Sequence, residues 1–279
     1  YILFPDIMPE LPEVETVMTL VRKRVLNKKI IKTKVLNSKL RWPIDIKKVK
    51  GLEGLFIRNV SRRGKYIIIE FNSKDLTLVI HLGMTGVISF NDSKSYLTKK
   101  HDHLIIYFKD HILIFNDVRK FGSIHLCRKL DDMFLIKNLG PEPLSNMFNS
   151  KYIYDISRKR SCCIKELIMN QKIIVGVGNI YATEALFLSK IHPSLKANKL
   201  SLSKASKLVM NIKSVLLESI KMGGTTIKDY VDAEGKPGYF VQKLLVYQKE
   251  YCPIHKKHKL SNIKISGRSS FFCSKCQAE

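Results

Sequence analysis

Leu139-Gly140-Pro141-Glu142-Pro143 marks the point at which the hydrophobic period of this chain changes. Upstream, apolar residues come in short runs at Ile30–Val35, Tyr66–Phe71, Leu76–Leu82, Leu104–Phe108 and Ile112–Phe115. Turn-forming pieces such as Asn72-Ser73-Lys74-Asp75 and Lys109-Asp110-His111 part them. Runs of this length between turn signals predict strands, and their spacing predicts an antiparallel sandwich or barrel. One helical stripe precedes them, in Glu13–Leu26, with Val14, Val17, Met18, Val21 and Val25 on one face and Pro12 where a first helical turn tolerates it. Downstream, the period becomes helical over Ile164–Ile173, Asn179–Ser189 and about Ser203–Met222. The last of these carries Ala205, Leu208, Val209, Ile212, Val215, Leu216 and Ile220 on one face and stops at Gly223-Gly224. The expected class is α+β: an antiparallel β-sandwich with a flanking helix over 9–138, a stiff connector at 139–150, a helical domain over 151–238, and a compact cysteine-bearing tail over 239–279.

The composition admits a packed core and demands a partner. The chain has 279 residues, of which 45% are hydrophobic, with 14 Gly and 9 Pro, which excludes disordered and collagen-like classes. No apolar run approaches the ~20 residues of a membrane span, and Tyr1–Ile7 lacks the basic start of a signal peptide, so a cytoplasmic protein is expected. Lys and Arg number 49 against 24 Asp and Glu, a formal net charge of +25. Residues 1–138 carry 26 basic and 14 acidic side chains (+12), and residues 139–279 carry 23 and 10 (+13). Two equally positive halves suit a protein that grips a polyanion with both. A general lysine bias, as in Lys47-Lys48-Val49-Lys50, is the bland alternative.

The six cysteines fall in two groups. Cys127, Cys162 and Cys163 are scattered and read as small apolar fillers or unpaired thiols. The others form Cys252-x2-His255, seventeen residues, then Cys273-x2-Cys276. A two-residue gap on a tight turn lets both side chains reach one ion, and zinc accepts three thiolates and an imidazole in a tetrahedron. In a cytosolic chain such spacing points to metal rather than to a disulfide. One structural Zn2+ is therefore expected on Cys252, His255, Cys273 and Cys276, with His258 close enough to compete with His255. Lys256, Lys257, Lys259, Lys264 and Arg268 between the pairs suit a hairpin laid on nucleic acid.

The most specific string is Met8-Pro9-Glu10-Leu11-Pro12-Glu13-Val14-Glu15. Taken alone it is a helix start whose acids complement the macrodipole. If translation begins at Met8 and the methionine is removed, Pro9 becomes the terminus. An α-amine titrates at about 7.7–8.0 against about 10.4 for lysine, so far more of it is nucleophilic at neutral pH. A secondary amine that attacks a sugar carbon leaves a permanently charged iminium, an electron sink for elimination. Glu10 stands next to it to donate a proton as the sugar ring opens. Eight residues precede Pro9 here, and while they remain its nitrogen is a tertiary amide without a nucleophilic lone pair. Met8 is accordingly the expected start.

These residues resemble bacterial formamidopyrimidine-DNA glycosylases, and the likeness runs from Met8 to about Cys276. It includes Leu40-Arg41-Trp42-Pro43, His81-Leu82-Gly83-Met84-Thr85-Gly86, Lys100-His101-Asp102-His103, Asp117-Val118-Arg119-Lys120-Phe121-Gly122, Val175-Gly176-Val177-Gly178-Asn179-Ile180-Tyr181-Ala182 and Gly235-Lys236-Pro237-Gly238-Tyr239-Phe240. The resemblance implies a helix-two-turn-helix domain and a zinc-finger β-hairpin after the β-sandwich. It implies excision of oxidised purines from bent duplex DNA, with the lesion flipped outward and the strand cut by β,δ-elimination. Pro9 then matches the nucleophile and Glu10 the acid beside it. Lys65 matches the lysine tied to β-elimination, and Arg268 the hairpin arginine tied to phosphate contact and δ-elimination. His101, Arg119, Arg160, Lys165 and Asn179 match DNA contacts, the last at a helix start whose amides and dipole suit a phosphate. Met84, Arg119 and Phe121 match the residues that fill the gap left by the flipped base, Arg119 facing the orphaned cytosine. The Gly223–Tyr239 loop, with Thr225 and Thr226, offers backbone amides to the flipped base.

Each assignment has a plainer counterpart. Met84 and Phe121 are core packing, Arg119 a surface ion pair, Lys65 one exposed lysine among many, and Asn179 a helix cap. His255 also departs from the family, most members of which have cysteine there. Two other functions compete: an endonuclease VIII-like glycosylase for oxidised pyrimidines, and a non-catalytic lesion-binding protein if the residues before Pro9 are retained. Leu11 and the Met84, Arg119 and Phe121 set favour the purine-directed branch. A monomer acting on damaged double-stranded DNA is expected.

Overall fold

The computed structural model describes residues 8–73, 76–224 and 240–278. Of the Gly223–Tyr239 loop, residues 225–239, Thr225 and Thr226 among them, lie outside the described residues. The chain forms two compact units, one built on 13–137 with 8–9, the other on 138–224 and 240–278 with 10–12.

The first unit is the antiparallel sandwich. One sheet runs β1-β6-β7-β5, from β1 (Lys32–Val35), β6 (Asp102–Tyr107), β7 (Ile112–Asp117) and β5 (Gly86–Asn91). The other runs β2-β3-β4-β8, from β2 (Ile57–Arg63), β3 (Tyr66–Phe71), β4 (Thr77–His81) and β8 (Ser123–Cys127). Alternate residues meet in register, with Ile67 opposite Ile80, Ile69 opposite Leu78, and Leu104 opposite Phe115. These six side chains enter one core with Val14, Val17, Met18, Val21 and Val25 of the flanking helix α1 (Leu11–Val25). Ile105, Ile112 and Ile114 point the other way into a second cluster with Leu36, Tyr96 and Tyr107. Coverage of both faces explains why these strands read as continuous apolar runs rather than as alternation.

Three strands escape the sequence pattern. In β2 a bulge between Ile57 and Asn59 breaks the period of two, and the strand is rich in Arg and Asn. β5 and β8 mix single apolar residues with Ser, Asn, His and Gly. The short helix α2 (Ile46–Lys50) was likewise silent, and Asp45 caps it through the Lys48 amide at 3.1 Å.

In the second unit Asn149 caps α3 (Ser150–Arg158), and Ser201 caps the long helix α6 (Leu202–Lys221). Between them α4 (Ile164–Met169) and α5 (Asn179–Leu188) are joined by the turns over 170–178. The 164–173 run ends as a helix at Met169 because Asn170 turns extended. The Pro/Gly connector is stitched to those turns, the Gly140 amide to Gln171 O at 2.8 Å and the Val175 amide to Pro141 O at 3.2 Å. The tail folds as a hairpin of β9 (Ser261–Ile265) and β10 (Arg268–Phe272).

Candidate active site

Glu10 is anchored by the start of a helix far along the chain. It is 3% exposed, and its carboxylate accepts from the Gly178 amide at 2.8 Å and the Ile180 amide at 2.9 Å, at the N-terminus of α5. The Leu11 amide donates to Gly176 O at 3.1 Å. A Cβ on Gly178 would lie 2.3 Å from Glu10 Cδ, so only glycine lets the backbone come this close. Behind the loop, Gln171 Oε1 accepts from the Gly176 amide at 2.7 Å, and its Nε2 donates to Val177 O at 3.0 Å and to Met169 O at 3.1 Å. Two amides expected to face a phosphate therefore hold the protein's own carboxylate, which the helix dipole suits equally. Asn179 itself opens α5, with its side-chain Oδ1 buried and without a hydrogen-bond partner among the described residues. Pro9 directly precedes this clamped pair.

Lys165 proves to be an internal strut. It is fully buried on α4, and its Nζ donates to Ser269 O at 3.0 Å and Ser270 Oγ at 2.7 Å, immediately beyond Arg268. Burial pushes its ammonium down to about 7; the Glu10 carboxylate opposes that shift and Arg268 adds to it. Arg268 is exposed and opens β10 after the Ser266-Gly267 turn. Arg160 is exposed in the loop after α3.

In the first unit Lys65 is 7% exposed, on the turn between β2 and β3, and so is not the solvent-facing lysine of the plainer reading. The turn is tied to α1 by Arg62, whose Nε lies 2.5 Å from Glu15 Oε2 while its Nη1 donates to Gly64 O at 2.8 Å. His101 is half-buried just before β6, its carbonyl accepting from the Asp117 amide at 3.0 Å. Met84 lies on the turn from β4 to β5, half-buried, and Arg119 and Phe121 on the turn from β7 to β8, both exposed. The Arg119 guanidinium sits 5.0 Å from the Phe121 ring centroid.

The tail brings Cys252, His255, Cys273 and Cys276 together, with ligand atoms within 4.8 Å of one another. Cys252 Sγ lies 3.7 Å from Cys276 Sγ, and His255 Nδ1 lies 3.3–3.8 Å from the three sulfurs. A tetrahedron with metal–sulfur bonds of about 2.3 Å has edges of about this length, so the four can hold one metal ion. His258 lies outside this group, its Nε2 3.0 Å from Ser274 Oγ.

Comparison with known proteins assigns the chain. Residues 8–124 match the model of the formamidopyrimidine-DNA glycosylase N-terminal domain, and residues 139–231 that of the H2TH domain of the same proteins. A formamidopyrimidine-DNA glycosylase of Hydrogenovibrio crunogenus is 42% identical over 275 residues, covering 98% of this chain and 97% of the relative. That of Proteus mirabilis is 43% identical over 272 residues, covering 97% and 98%. The chain belongs to the formamidopyrimidine-DNA glycosylase family. Solved structures agree. The Lactococcus lactis enzyme bound non-covalently to DNA with an abasic site has a TM-score of 0.86 at 36% identity, over 97% of this chain and 100% of that one. Its complex with DNA containing a formamidopyrimidine lesion matches with the same score and coverage.

Sequence reasoning assigned no role to three residues whose side chains brace these turns. Gln171 carries no signal among the turn residues, and Thr85 and Asp117 stand inside recognised motifs without an assigned role. A side chain that acts through hydrogen bonds to remote backbone leaves no periodicity or spacing to detect.

Proposed function

We propose that this chain is a bifunctional DNA glycosylase and abasic-site lyase that removes oxidised purines, 8-oxoguanine and formamidopyrimidines, from duplex DNA in base excision repair. The observation that carries the reading is the Glu10 carboxylate held on the Gly178 and Ile180 amides, because it fixes the residue next to the nucleophile. With Pro9 as the terminus, its nitrogen adds to C1′ of the damaged nucleotide, and the base leaves with the bonding pair and takes a proton. The Glu10 carboxylate takes the proton that the Pro9 nitrogen sheds and passes it to the ring oxygen as the ring opens, and the sugar remains as an iminium on Pro9. Loss of a C2′ proton expels the 3′ phosphate, with Lys65 handling protons at that step. A second elimination expels the 5′ phosphate, which Arg268 contacts. His101, Arg160 and Asn179 bind the DNA backbone. Met84, Arg119 and Phe121 occupy the vacated stack, offsetting an extrusion cost of a few kcal/mol. Lys165 contributes by seating Arg268.

Zinc is the metal that fits the tail. Three thiolates and one imidazole at tetrahedral spacing form a closed structural site that ties the hairpin base together. The protein acts as a cytoplasmic monomer on damaged duplex. Among the described residues no helix is long and apolar enough to cross a membrane.

Borohydride trapping tests the reading, with protein beginning at Pro9 and a duplex carrying 8-oxoguanine opposite cytosine. A covalent adduct is expected, and its loss when one residue is added ahead of Pro9. A bound duplex without adduct would instead mark a non-catalytic lesion binder. Trapping on thymine glycol but not on 8-oxoguanine would mark a pyrimidine-directed enzyme.

A further inference from the structure

The turns that carry Met84 and Arg119 are joined at both ends. The first leaves β4 at His81 and enters β5 at Gly86, while the second leaves β7 at Asp117 and enters β8 at Ser123. Gly86 pairs with Asp117 in one sheet and His81 with Ser123 in the other, so two crossings of opposite chain direction link the sheets side by side. Between those ends the turns lock onto each other. Thr85 Oγ1 donates to Asp117 Oδ1 at 2.5 Å and accepts from the Arg119 amide at 3.0 Å. Asp117 Oδ2 accepts from the Gly122 amide at 2.8 Å. The backbones touch at Gly83, where a Cβ would fall 2.4 Å from Gly122 N and from Phe121 C. Beneath them His103, 1% exposed, places Nε2 3.0 Å from Asp117 O and Nδ1 3.0 Å from Asn37 O. Asp117 is wholly buried, and the side chains it supports face outward, Phe121 being 44% exposed.

We propose that Thr85 is a positioning residue for lesion extrusion, its hydroxyl joining the Met84 turn and the Arg119–Phe121 turn into one preorganised wedge braced by Asp117. The inference rests on the reading of Met84, Arg119 and Phe121 as the residues that fill the vacated stack. A wedge already ordered loses little conformational freedom on insertion, whereas two independent loops must be ordered as the base leaves. The hydroxyl reaches Arg119 through its main-chain N–H and so sets the direction from which the guanidinium meets the orphaned base. Thr85 thus acts on extrusion and on the choice of opposite base, and not on the covalent steps.

The test uses the whole zinc-loaded chain beginning at Pro9, in single-turnover assays. Thr85→Val keeps the shape and removes both hydroxyl bonds, and Thr85→Ser restores the hydroxyl. Thr85→Val is expected to slow excision of 8-oxoguanine opposite cytosine about tenfold more than it slows cleavage at a preformed abasic site, the net scale of the two lost hydrogen bonds in a transition state. It also narrows the preference for cytosine over adenine opposite the lesion, and Thr85→Ser recovers both. Asp117→Asn, which leaves the Thr85 hydroxyl but weakens its acceptor, moves the same ratio in the same direction. Equal loss on both substrates, or no loss on either, overturns the proposal. Met84→Ala and Arg119→Ala separate it from the reading beneath. If they slow excision while Thr85→Val does not, Thr85 alone is misassigned. If they too leave excision unchanged, the wedge itself is misread.

Discussion

Burial holds the His81 imidazole down at about 4, and the charges of Lys65, Arg41 and His125 act in the same direction. Its Nδ1 accepts from the Gly83 amide at 3.1 Å, and its ring lies 4.8 Å from that of Tyr66, so the fold selects the neutral ring with its proton on Nε2. In the unfolded chain the same group titrates near 6.5. Because the folded value is the lower one, the unfolded state binds the extra proton first as pH falls. Stability present above pH 6.5 is therefore lost between about 6.5 and 4. The loss reaches about 3 kcal/mol at most. His81→Asn, which keeps an acceptor for Gly83 and cannot titrate there, is expected to flatten that limb in denaturant unfolding followed from pH 7 to pH 4. Parallel curves for the two proteins would show that His81 contributes nothing to acid sensitivity. At the same scale, Gly178 and Gln171 show how much of the site is backbone, since two amides hold the Glu10 carboxylate and the side chain that orders their loop stands one layer behind.

At the level of elements, the hairpin is the piece least able to stand alone. Two five-residue strands are at best marginal in water. Four attachments hold it and the segment that leads to it instead. The proposed metal at Cys252, His255, Cys273 and Cys276 would close its base. Lys165 bonds to Ser269 and Ser270, and Gln277 joins the Cys273 amide to Ile191 O. Glu184 accepts from the amides of Leu245, Val246 and Tyr247 at 2.7–3.0 Å. Removal of zinc by a strong chelator is expected to expose the amides of residues 261–272 to rapid hydrogen exchange while those of β3 and β4 stay protected. The metal-free protein should then lose DNA affinity, because Arg268 is mounted on that hairpin. Retained protection of 261–272 after complete chelation would show that the other three attachments suffice.

For the molecule as a whole, the +25 charge governs association. Each phosphate neutralised releases condensed counterions, so affinity falls linearly in log–log form with salt. In the proposed binding mode Arg160 and Arg268, with Lys256, Lys257, Lys259 and Lys264, meet about six phosphates, and a thousandfold loss of affinity between 50 and 200 mM salt is about what such a number implies. Fluorescence anisotropy on a duplex with a stable abasic analogue measures the slope. A shallow slope, near that of one or two ions, would place most of those cations away from the DNA.

What the sequence determined by itself was everything carried by local spacing. The stripe of α1, the strands β3, β4, β6 and β7, the helices α5 and α6, and the Cys252, His255, Cys273 and Cys276 set were legible because a helix, a strand or a metal-binding turn repeats within a few residues. β2 was hidden by its bulge, and α3 by a run too short and polar to show a period. Tertiary structure alone decided the partners. It put the Glu10 carboxylate on amides 168 and 170 residues away, buried Lys165, which the resemblance matched to a DNA contact, against Ser270, and set Thr85 between Asp117 and Arg119. Residue type states what a group can bond to, but which group it meets depends on the path of the whole chain. A carboxylate that fits a helix N-terminus and a phosphate that fits the same amides are indistinguishable until that path is known.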